Sequence, residues 1–365
     1  MRRRFFILFL IVVFIITAVT VWLYNEWRTF LITPLNTTAW TYEIKPGQGI
    51  HSVAHDLEQR GFIKQAQFLV ALARFKDLTN IKKGEYAIAE NTLPEAFLQK
   101  LVKGDVIQYS ITFIEGWTFQ ELLSMVVYHS QLTHTLTDLN PARVMQQLGY
   151  GSQNPEGLFF PDTYHFTAGY TDVQLLKRAY ETMQAKLMAA WQNRQDTVIY
   201  KTPYEALIAA SLIEKETALA SEKPLIAGVI QRRLEKNMRL QIDSTVIYAI
   251  RHDYQGNITR ADLKIDSPYN TYRYTGLPPT PISMPGITSI SAALNPAAGD
   301  ALYFVAKGDG SHYFSINLNE HNKAVRDYQL KPLRMIATPP LIVPDDKAST
   351  APFINPTWLN PLGWQ

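Results

Sequence analysis

Two glutamates, Glu214 and Glu216, stand near the end of a strongly predicted helix, and the helical pattern places them differently. The apolar positions of this helix recur every three or four residues and comprise Ile208, Ala209, Leu212 and Ile213. Residues three or four apart lie on one face of a helix, so the next position on this stripe is Glu216. Glu214 and Lys215 fall on the more polar flank. The pattern therefore predicts that Glu216 is the carboxylate on the buried face.

A carboxyl group in that position could act as a general acid near neutral pH. Desolvation disfavours the charged form, and the negative end of the helix macrodipole has the same effect at the C-terminus. Both effects raise the pKa of Glu216 toward the range that proton donation requires. The pattern also fits a structural role, in which Glu216 pairs with a buried Arg or Lys or lies in solvent beyond the helix.

The start of the same helix is marked by its own signals. Thr202 is a suitable N-cap, Pro203 suits the first helical position, and Glu205 stands three residues after the cap, as in a capping box. These residues predict a helix that begins at Pro203 and leads into the Glu-Lys-Glu-Thr run ending at Thr217.

The composition argues against several other kinds of chemistry. The chain of 365 residues has no cysteine, so neither a thiol nucleophile nor a thiolate metal site is available. No His-Glu-x-x-His pattern or dense His/Asp cluster predicts a metal site, and we expect no cofactor. Ser211 and Lys215 are four residues apart, but the Ser-x-x-Lys and Lys-Thr-Gly motifs of acyl-transfer enzymes are absent. The net charge of +3 gives no argument for a nucleic-acid partner.

An apolar segment near the N-terminus predicts a membrane-spanning helix. Residues 5–24 contain no charged side chain, and their length matches a hydrocarbon core of about 30 Å. Three arginines at positions 2–4 precede the segment, so the positive-inside preference keeps the N-terminus in the cytoplasm and exports the remaining chain. A cleaved signal peptide is the competing interpretation, but bulky residues occupy positions 21–23, where a cleavage site would need small ones.

The segment after the anchor has the pattern of small βα units. Residues 40–44 are strand-like, the apolar spacing from Ile50 to Leu57 is helical, and Gly61 stands where a C-terminal cap is expected. Two similar strand and helix pairs are predicted at residues 85–88 with 94–102 and at residues 109–114 with 119–127. This weak repeat indicates small mixed modules on a stalk rather than a solenoid.

The chain also carries several long motifs in a fixed order. Around the run Glu214-Lys-Glu-Thr217 they occupy residues 115–118, 156–164, 239–248, 269–272, 275–279 and 303–322. Together they resemble the signature of the MltG/YceG family of endolytic murein transglycosylases, over roughly residues 42–328. The resemblance implies that Glu216, the second glutamate of the run, is the catalytic residue, which agrees with the helical pattern.

The resemblance implies non-hydrolytic cleavage of the β-1,4 bond between N-acetylmuramic acid and N-acetylglucosamine, with a 1,6-anhydro end on the muramic acid. One carboxyl suffices because the sugar's own C6 hydroxyl attacks, whereas hydrolytic glycosidases usually need two carboxylates. Candidate second acids are Glu156, Asp162 and Asp243, so a two-carboxylate muramidase is an alternative. A non-catalytic peptidoglycan-binding partner of wall synthases is another.

Eight further residues are candidates for contacting the glycan, because they are polar or aromatic and lie in the family-like motifs. They are Glu156, Asp162, Tyr164, Asp243, Asn270, Tyr272, His312 and Asn322. Each has a structural alternative: a tyrosine can fill a core, Asp243 can cap a helix, and a histidine can be hydrogen-bonded at the surface.

The expected fold class is α+β, with one transmembrane helix, LysM-like βα modules implied by the resemblance, and a mostly helical catalytic domain with additional strands. The expected ranges are 1–27 for the tail and anchor, 28–39 for a linker, 40–108 for the LysM-like module, 109–149 for a connecting segment, 150–335 for the catalytic domain and 336–365 for a proline-rich tail. The expected location is the bacterial inner membrane with the catalytic domain in the periplasm. The expected partners are peptidoglycan strands, the membrane and peptidoglycan synthases.

Overall fold

A computed structural model describes residues 2–330 of the chain. The proline-rich tail predicted at residues 336–365 lies outside the described residues. Helix α1, Arg2–Ile32, is long and apolar enough to cross a membrane, and the side chains of its apolar segment are exposed. The helix extends beyond Trp27, so the first part of the predicted linker 28–39 is helical. Its last turns pack against the module that follows, since Trp27 and Phe30 both contact Phe68.

The first module contains two strands and three helices. In chain order they are β1 Trp40–Ile44, α2 Ile50–Gln59, α3 Ala66–Phe75, β2 Gly84–Ile88 and α4 Pro94–Lys103. The predictions of β1, α2, β2 and α4 are confirmed to within a residue or two at each end, whereas α3 was not predicted. β1 and β2 pair antiparallel, with Tyr42 opposite Tyr86.

One apolar core holds this module together. Its strands contribute alternate residues and its helices contribute residues at helical spacing, among them Tyr86, Val53, Leu69 and Phe97, all of which are buried. α4 ends at Gly104, whose φ of 75° is left-handed, a conformation that glycine adopts without a steric penalty. The apolar periodicity and the glycine cap, which predicted α4, are therefore the features that form it.

The remaining described residues form a larger, mostly helical body. Its strands are β3 Tyr109–Thr112, β4 Thr163–Phe166, β5 Tyr303–Ala306 and β6 His312–Ser315; its helices are α5 Phe119–Val127, α6 Pro141–Gln147, α7 Asp172–Gln192, α8 Pro203–Glu216, α9 Lys223–Glu235, α10 Asp243–Ala249, α11 Ile287–Leu294 and α12 Leu318–Val325. β3 pairs with β4, and β5 pairs with β6, both antiparallel.

The third predicted βα unit is not a separate module, because β3 pairs with a strand of the larger body. β3 and α5 form where the sequence predicts them, but β3 pairs with β4, with Ile111 opposite Tyr164, and not with another predicted unit. Residues before and after Gly149 also lie in one continuous core, which includes Leu122, Val144 and Leu176. The segment 109–149 therefore packs as part of the larger body.

α8 is the central helix of this body. It packs against α7, α9, α10 and α11. Every residue from Ala206 to Ile213 is buried, so the helix has no exposed flank along these two turns. The prediction of a single apolar stripe with a polar flank is therefore wrong for α8, although its residue range is as predicted. A helix that is apolar on all sides is surrounded by the core.

Candidate active site

The N-terminus of α8 is capped as the sequence predicts. Thr202 Oγ1 accepts a hydrogen bond from the Glu205 backbone N–H at 3.2 Å, and Pro203 occupies the first turn. The Glu205 carboxylate accepts from the Lys201 backbone N–H at 2.7 Å, one residue before the position of a standard capping box. The helix ends at Glu216, because Thr217 has extended backbone angles.

Glu216 therefore occupies the last helical position, at the edge of the core. Its side chain is partly buried, and Ser244 Oγ in the first turn of α10 donates a hydrogen bond to Oε1 at 3.1 Å. The pKa of Glu216 is raised to about 7, chiefly by burial; the Ser244 bond lowers it, the negative charge of Asp243 raises it, and the charge of His312 lowers it. The result is a carboxyl group that binds and releases a proton near neutral pH.

Asp243 and Tyr272 form one side of the site. Asp243 is exposed, and the Tyr272 hydroxyl donates a hydrogen bond to its Oδ1. The loop that carries Tyr272 is held by Asn270, which is fully buried: its Nδ2 donates to the carbonyls of Leu263 and Ile265 at 3.1 and 2.9 Å, and its Oδ1 accepts from the Tyr272 backbone N–H at 3.0 Å. Asn270 thus fixes the backbone from which Tyr272 extends.

His312 and Glu222 form the other side. Glu222 accepts two hydrogen bonds from His312, from the backbone N–H at 2.8 Å and from Nδ1 at 2.7 Å. Thr217, the residue after Glu216, also donates to Glu222, at 3.4 Å. Burial opposes ionisation of Glu222, but the hydrogen bonds and charge of His312 lower its pKa overall. These bonds fix the orientation of the imidazole near Glu216.

Glu214 has a different environment although it is only two residues from Glu216. Its carboxylate pairs with Lys223 Nζ at 3.1 Å, and the two side chains are 7% and 4% exposed. Gly286 N–H donates to the same carboxylate at 2.9 Å, and Lys223 also donates to Thr288. The structural role considered for Glu216, pairing with a buried cation, therefore belongs to Glu214. The predicted polar flank does not exist at this position.

No hydrogen bond or ion pair within residues 2–330 joins four of the predicted substrate contacts to this cluster. Glu156 is buried and accepts from the Phe119 backbone N–H at 2.9 Å and the Tyr248 hydroxyl at 3.0 Å; burial raises its pKa to about 7. Tyr164 is buried in the core, with its hydroxyl on the Phe160 carbonyl. Asp162 is exposed beside β4, and Asn322 is exposed on α12.

The cluster around Glu216 therefore contains Asp243, Tyr272 and His312 from the predicted set, with Asn270 behind Tyr272. Two contacts were not predicted, those of Ser244 and Glu222. Ser244 stands in the family-like motif at residues 239–248 and Glu222 stands five residues after Thr217, but nothing in their local spacing shows that they meet Glu216 and His312. Only pairing information between distant segments could have identified them.

A long groove begins close to the end of α8. Lys215 Nζ donates to the Gly116 carbonyl at 3.2 Å, which joins the last turn of α8 to the turn before α5. From the next residue, Trp117, a groove of about 1,040 Å³ runs along α5 to Arg251 and includes Gln120 and Tyr128. The second wall is the chain that follows α10, whose first turn contacts Glu216. The groove offers aromatic surface, hydrogen-bonding groups and a cation.

The site has the composition of a general-acid catalyst. Glu216 can donate a proton near pH 7, Asp243 is a second carboxylate close enough to influence it, and the surrounding groups are hydrogen-bond donors. Residues 2–330 contain no group of three or more His, Cys, Asp or Glu side chains that could hold a metal ion. The chemistry that these residues can perform is acid catalysis on a bond with a poor leaving group.

Comparison with known proteins identifies the family. A model described as the YceG-like family matches residues 42–327, and the chain belongs to this family. It is 30% identical over 302 residues to a Bacillus subtilis (strain 168) protein named endolytic murein transglycosylase, covering 78% of this chain and 83% of that one. The family resemblance predicted from the motifs is therefore confirmed.

Two further relatives support the assignment. A Streptococcus pneumoniae (strain D39) protein, also named endolytic murein transglycosylase, is 27% identical over 323 residues, although the chain spans only 58% of its length. A crystal structure of a yceG-like protein from Listeria monocytogenes matches with a TM-score of 0.51 and 28% identity, covering 79% of this chain and 99% of that one.

Proposed function

We propose that this protein is a peptidoglycan lytic transglycosylase and that Glu216 is its catalytic acid. The observation that carries the proposal is the state of the Glu216 carboxyl: it is partly buried at the end of α8, its pKa lies near 7, and Ser244 is its only hydrogen-bond partner within residues 2–330. Oε2 is therefore free to approach a substrate oxygen. The names of the relatives supply the substrate class.

The proposed reaction uses one carboxyl group twice. Glu216 donates its proton to the glycosidic oxygen as the bond from C1 of N-acetylmuramic acid breaks, and the bonding electrons leave with that oxygen. The C6 hydroxyl of the same sugar then attacks the oxocarbenium-like C1 and gives its proton to the Glu216 carboxylate. The products are a 1,6-anhydro end and a new N-acetylglucosamine hydroxyl. The enzyme returns to its starting protonation state without consuming water.

The neighbouring groups suit this cycle. The negative charge of Asp243 helps Glu216 retain its proton until the sugar is bound, and His312 lowers the cost of the carboxylate that forms after donation. We assign substrate contact to Asp243, Tyr272 and His312. Ser244 and Glu222 act as positioning residues, because they touch Glu216 and His312 respectively.

The other predicted contacts receive different assignments in this proposal. Glu156, Tyr164 and Asn270 support the fold around the site, since each uses its polar atoms on groups of the protein itself. Asp162 and Asn322 are exposed, and their contact with the glycan stays a prediction. The groove from Trp117 to Arg251 is the surface we propose for the continuing glycan strand, because aromatic rings stack on sugars.

The proposed cellular arrangement is supported by α1. The apolar segment of α1 with its preceding arginines supports a single-pass anchor in the bacterial inner membrane, with the N-terminus in the cytoplasm and the site in the periplasm. The first module is proposed to be LysM-like, and the proposed catalytic domain includes residues 109–149, which share its core. Such an anchor keeps Glu216 close to newly made strands, so that cleavage would end their elongation. Peptidoglycan synthases are the proposed partners.

The test is product analysis with the full-length protein in detergent. Purified peptidoglycan is incubated with the wild type and with Glu216→Gln, and the fragments are identified by mass spectrometry. The proposal expects 1,6-anhydro ends from the wild type and none from the variant, with unchanged circular dichroism. Reducing ends would indicate a two-carboxylate muramidase, for which Asp243 is the candidate second acid. Glycan binding without cleavage by the folded wild type would indicate a non-catalytic role.

A further inference from the structure

A second cavity lies far along the chain from Glu216, where α1 meets the first module. It has a volume of about 560 Å³, within the roughly 300–1,000 Å³ typical of ligand pockets. One wall is the end of α1 from Glu26 to Thr33, and the other is the module, including Trp40 and Phe68. Neither the sequence motifs nor the proposed reaction uses this cavity.

The end of α1 is fixed against the module, so the position of the cavity along the helix is defined. Trp27 packs edge-on against Phe68, with ring centroids 5.6 Å apart. The chain after the helix is tied to the module by two backbone hydrogen bonds, from Leu35 N–H to the Thr92 carbonyl at 2.9 Å and from Asn91 N–H to the Asn36 carbonyl at 3.0 Å.

This geometry places the cavity at the membrane surface if α1 crosses a bilayer. The apolar segment ends at Tyr24, and a helix rises about 1.5 Å per residue, so Glu26 to Thr33 lie roughly 3–14 Å beyond the hydrocarbon. The headgroup layer occupies about the first 5–8 Å on each side of the hydrocarbon core. The cavity therefore begins among the lipid headgroups.

The lining combines apolar surface with one charge of each sign. Phe30, Phe62 and Ile63 contribute apolar surface, and Glu26 and Lys64 contribute a carboxylate and an ammonium. Neither charged side chain forms an ion pair with the other or with any other described residue. Two opposite charges that line one cavity without neutralising each other are complementary to a zwitterionic ligand.

Two buried polar atoms in the lining lack partners within the described part of the chain: Asn36 Oδ1, an acceptor, and Trp40 Nε1, a donor. Asn36 is 8% exposed, and the orientation of its amide is fixed because Nδ2 donates to the carbonyls of Thr38 and Ala89 at 2.6 and 2.9 Å. Buried polar groups without partners are costly, so a ligand with one donor and one acceptor would be favoured here. Both atoms are covered by the lining of the cavity, so a ligand reaches them when neighbouring lining side chains move aside.

We propose that this cavity binds one ethanolamine phospholipid from the leaflet at which α1 emerges. The ammonium group would meet Glu26 and Asn36 Oδ1, the phosphate would meet Lys64 and Trp40 Nε1, and the glycerol and upper acyl chain would contact the aromatic lining. A choline headgroup has no N–H to give Asn36, and a glycerol headgroup has no positive charge for Glu26. The proposal rests on α1 crossing a membrane and not on the cleavage chemistry.

The experiment is native mass spectrometry of the full-length protein released from nanodiscs that contain equal amounts of ethanolamine, choline and glycerol phospholipids. We expect one ethanolamine lipid to be retained per chain, in excess over the other two. Glu26→Gln and Lys64→Met should each reduce retention about two- to fivefold, as expected for exposed ion pairs. Lys83→Met, which removes an exposed lysine of the same module outside the cavity, should have no effect.

Three outcomes would overturn the proposal: equal retention of all three lipids, unchanged retention in the Glu26 and Lys64 variants, or failure of the protein to enter nanodiscs. None of these outcomes depends on glycan cleavage, so the result is independent of the proposed function. If the folded Glu26 and Lys64 variants lose the ethanolamine lipid and the Lys83 variant keeps it, the assignment of the cavity stands.

Discussion

The last turn of α8 presents two glutamates to two very different surroundings. Glu214 faces the ammonium of Lys223 and a backbone N–H at the start of α11, and both members of the ion pair are almost fully buried. Glu216 faces one serine hydroxyl and the negative charge of Asp243, at a position partly open to solvent. The residue type and the helix are the same, but the partners differ.

The difference determines what each carboxyl can do. The Glu214 carboxylate pairs with a buried ammonium at 3.1 Å and accepts from Gly286 N–H, so this group is suited to holding α8, α9 and α11 together. Among residues 2–330 no cation forms an ion pair with Glu216 to compensate its desolvation, so its pKa rises to about 7 and it can exchange a proton at neutral pH. About half a turn of helix therefore separates a structural carboxylate from one that can exchange a proton.

The largest expected effect is a difference in catalytic activity between variants of Glu216 and Glu214. Glu216→Gln removes the proton donor and should lower kcat by about a thousandfold or more, because general acid catalysis contributes roughly 10²–10⁴ and the same group also accepts the proton. Glu214→Gln keeps a neutral hydrogen-bond acceptor beside Lys223 and should retain much more activity in the fraction that folds. The measurement is the initial rate of 1,6-anhydro product formation, normalised to folded protein. Equal losses in the two variants would contradict the assignment.

The same substitution should also change stability with pH, in a defined direction. The folded pKa of Glu216 is above its unfolded value of about 4.5, so folding favours the protonated form, and stability is lost as the pH rises from about 4.5 to 7. Glu216→Gln removes this loss and should raise Tm at pH 8 but not at pH 4. Thermal unfolding at the two pH values tests it, and a Tm gain at pH 4 alone would contradict the buried-acid interpretation.

The next largest effect concerns the structural carboxylate. Lys223→Met leaves Glu214 buried without its counterion and should cost roughly 3–5 kcal/mol in the free energy of unfolding. Urea unfolding measures this loss. Lys100→Met breaks an exposed pair with Asp105 and should cost no more than about 1 kcal/mol, which makes it a suitable control. Replacing Glu214 with Leu in the Lys223→Met background should restore much of the loss, and no restoration would mean that packing rather than charge is responsible.

A smaller effect is expected from weakening the hydrogen bond between Glu222 and His312. Glu222→Gln weakens the bond that orients His312 and should lower kcat about tenfold, because a displaced imidazole stabilises the Glu216 carboxylate less well. His312 lowers the pKa of Glu216 through its charge. Displacing the imidazole should therefore raise the pKa of Glu216 and move the alkaline limb of the pH–rate profile upward. A fall in rate without any pH shift would mean that Glu222 has only a structural role.

Features that depend on contacts between residues close in sequence could be predicted, whereas features that depend on contacts between distant residues could not. The caps and periodicity of α4 and α8 are local, and both helices form as predicted. The contrast between Glu214 and Glu216 was predicted for the wrong reason, because a stripe pattern cannot show that α8 is buried on all sides. The contacts of Ser244 with Glu216 and of Glu222 with His312 join residues 28 and 90 positions apart. Such pairings depend on how helices pack, which a single sequence does not reveal.

The smallest effect tests whether Asp243 acts by charge or by chemistry. If Asp243 only helps Glu216 retain its proton, Asp243→Asn removes a negative charge, lowers the pKa of Glu216 and moves the alkaline limb of the pH–rate profile down by less than about one pH unit. This shift is opposite in sign to that expected for Glu222→Gln, so the two variants control for each other. Loss of all activity in Asp243→Asn, together with reducing ends from the wild type, would instead make Asp243 a second catalytic acid. The catalytic site at the end of α8 would then consist of Glu216 and Asp243 together, because Glu216 alone could not complete the reaction.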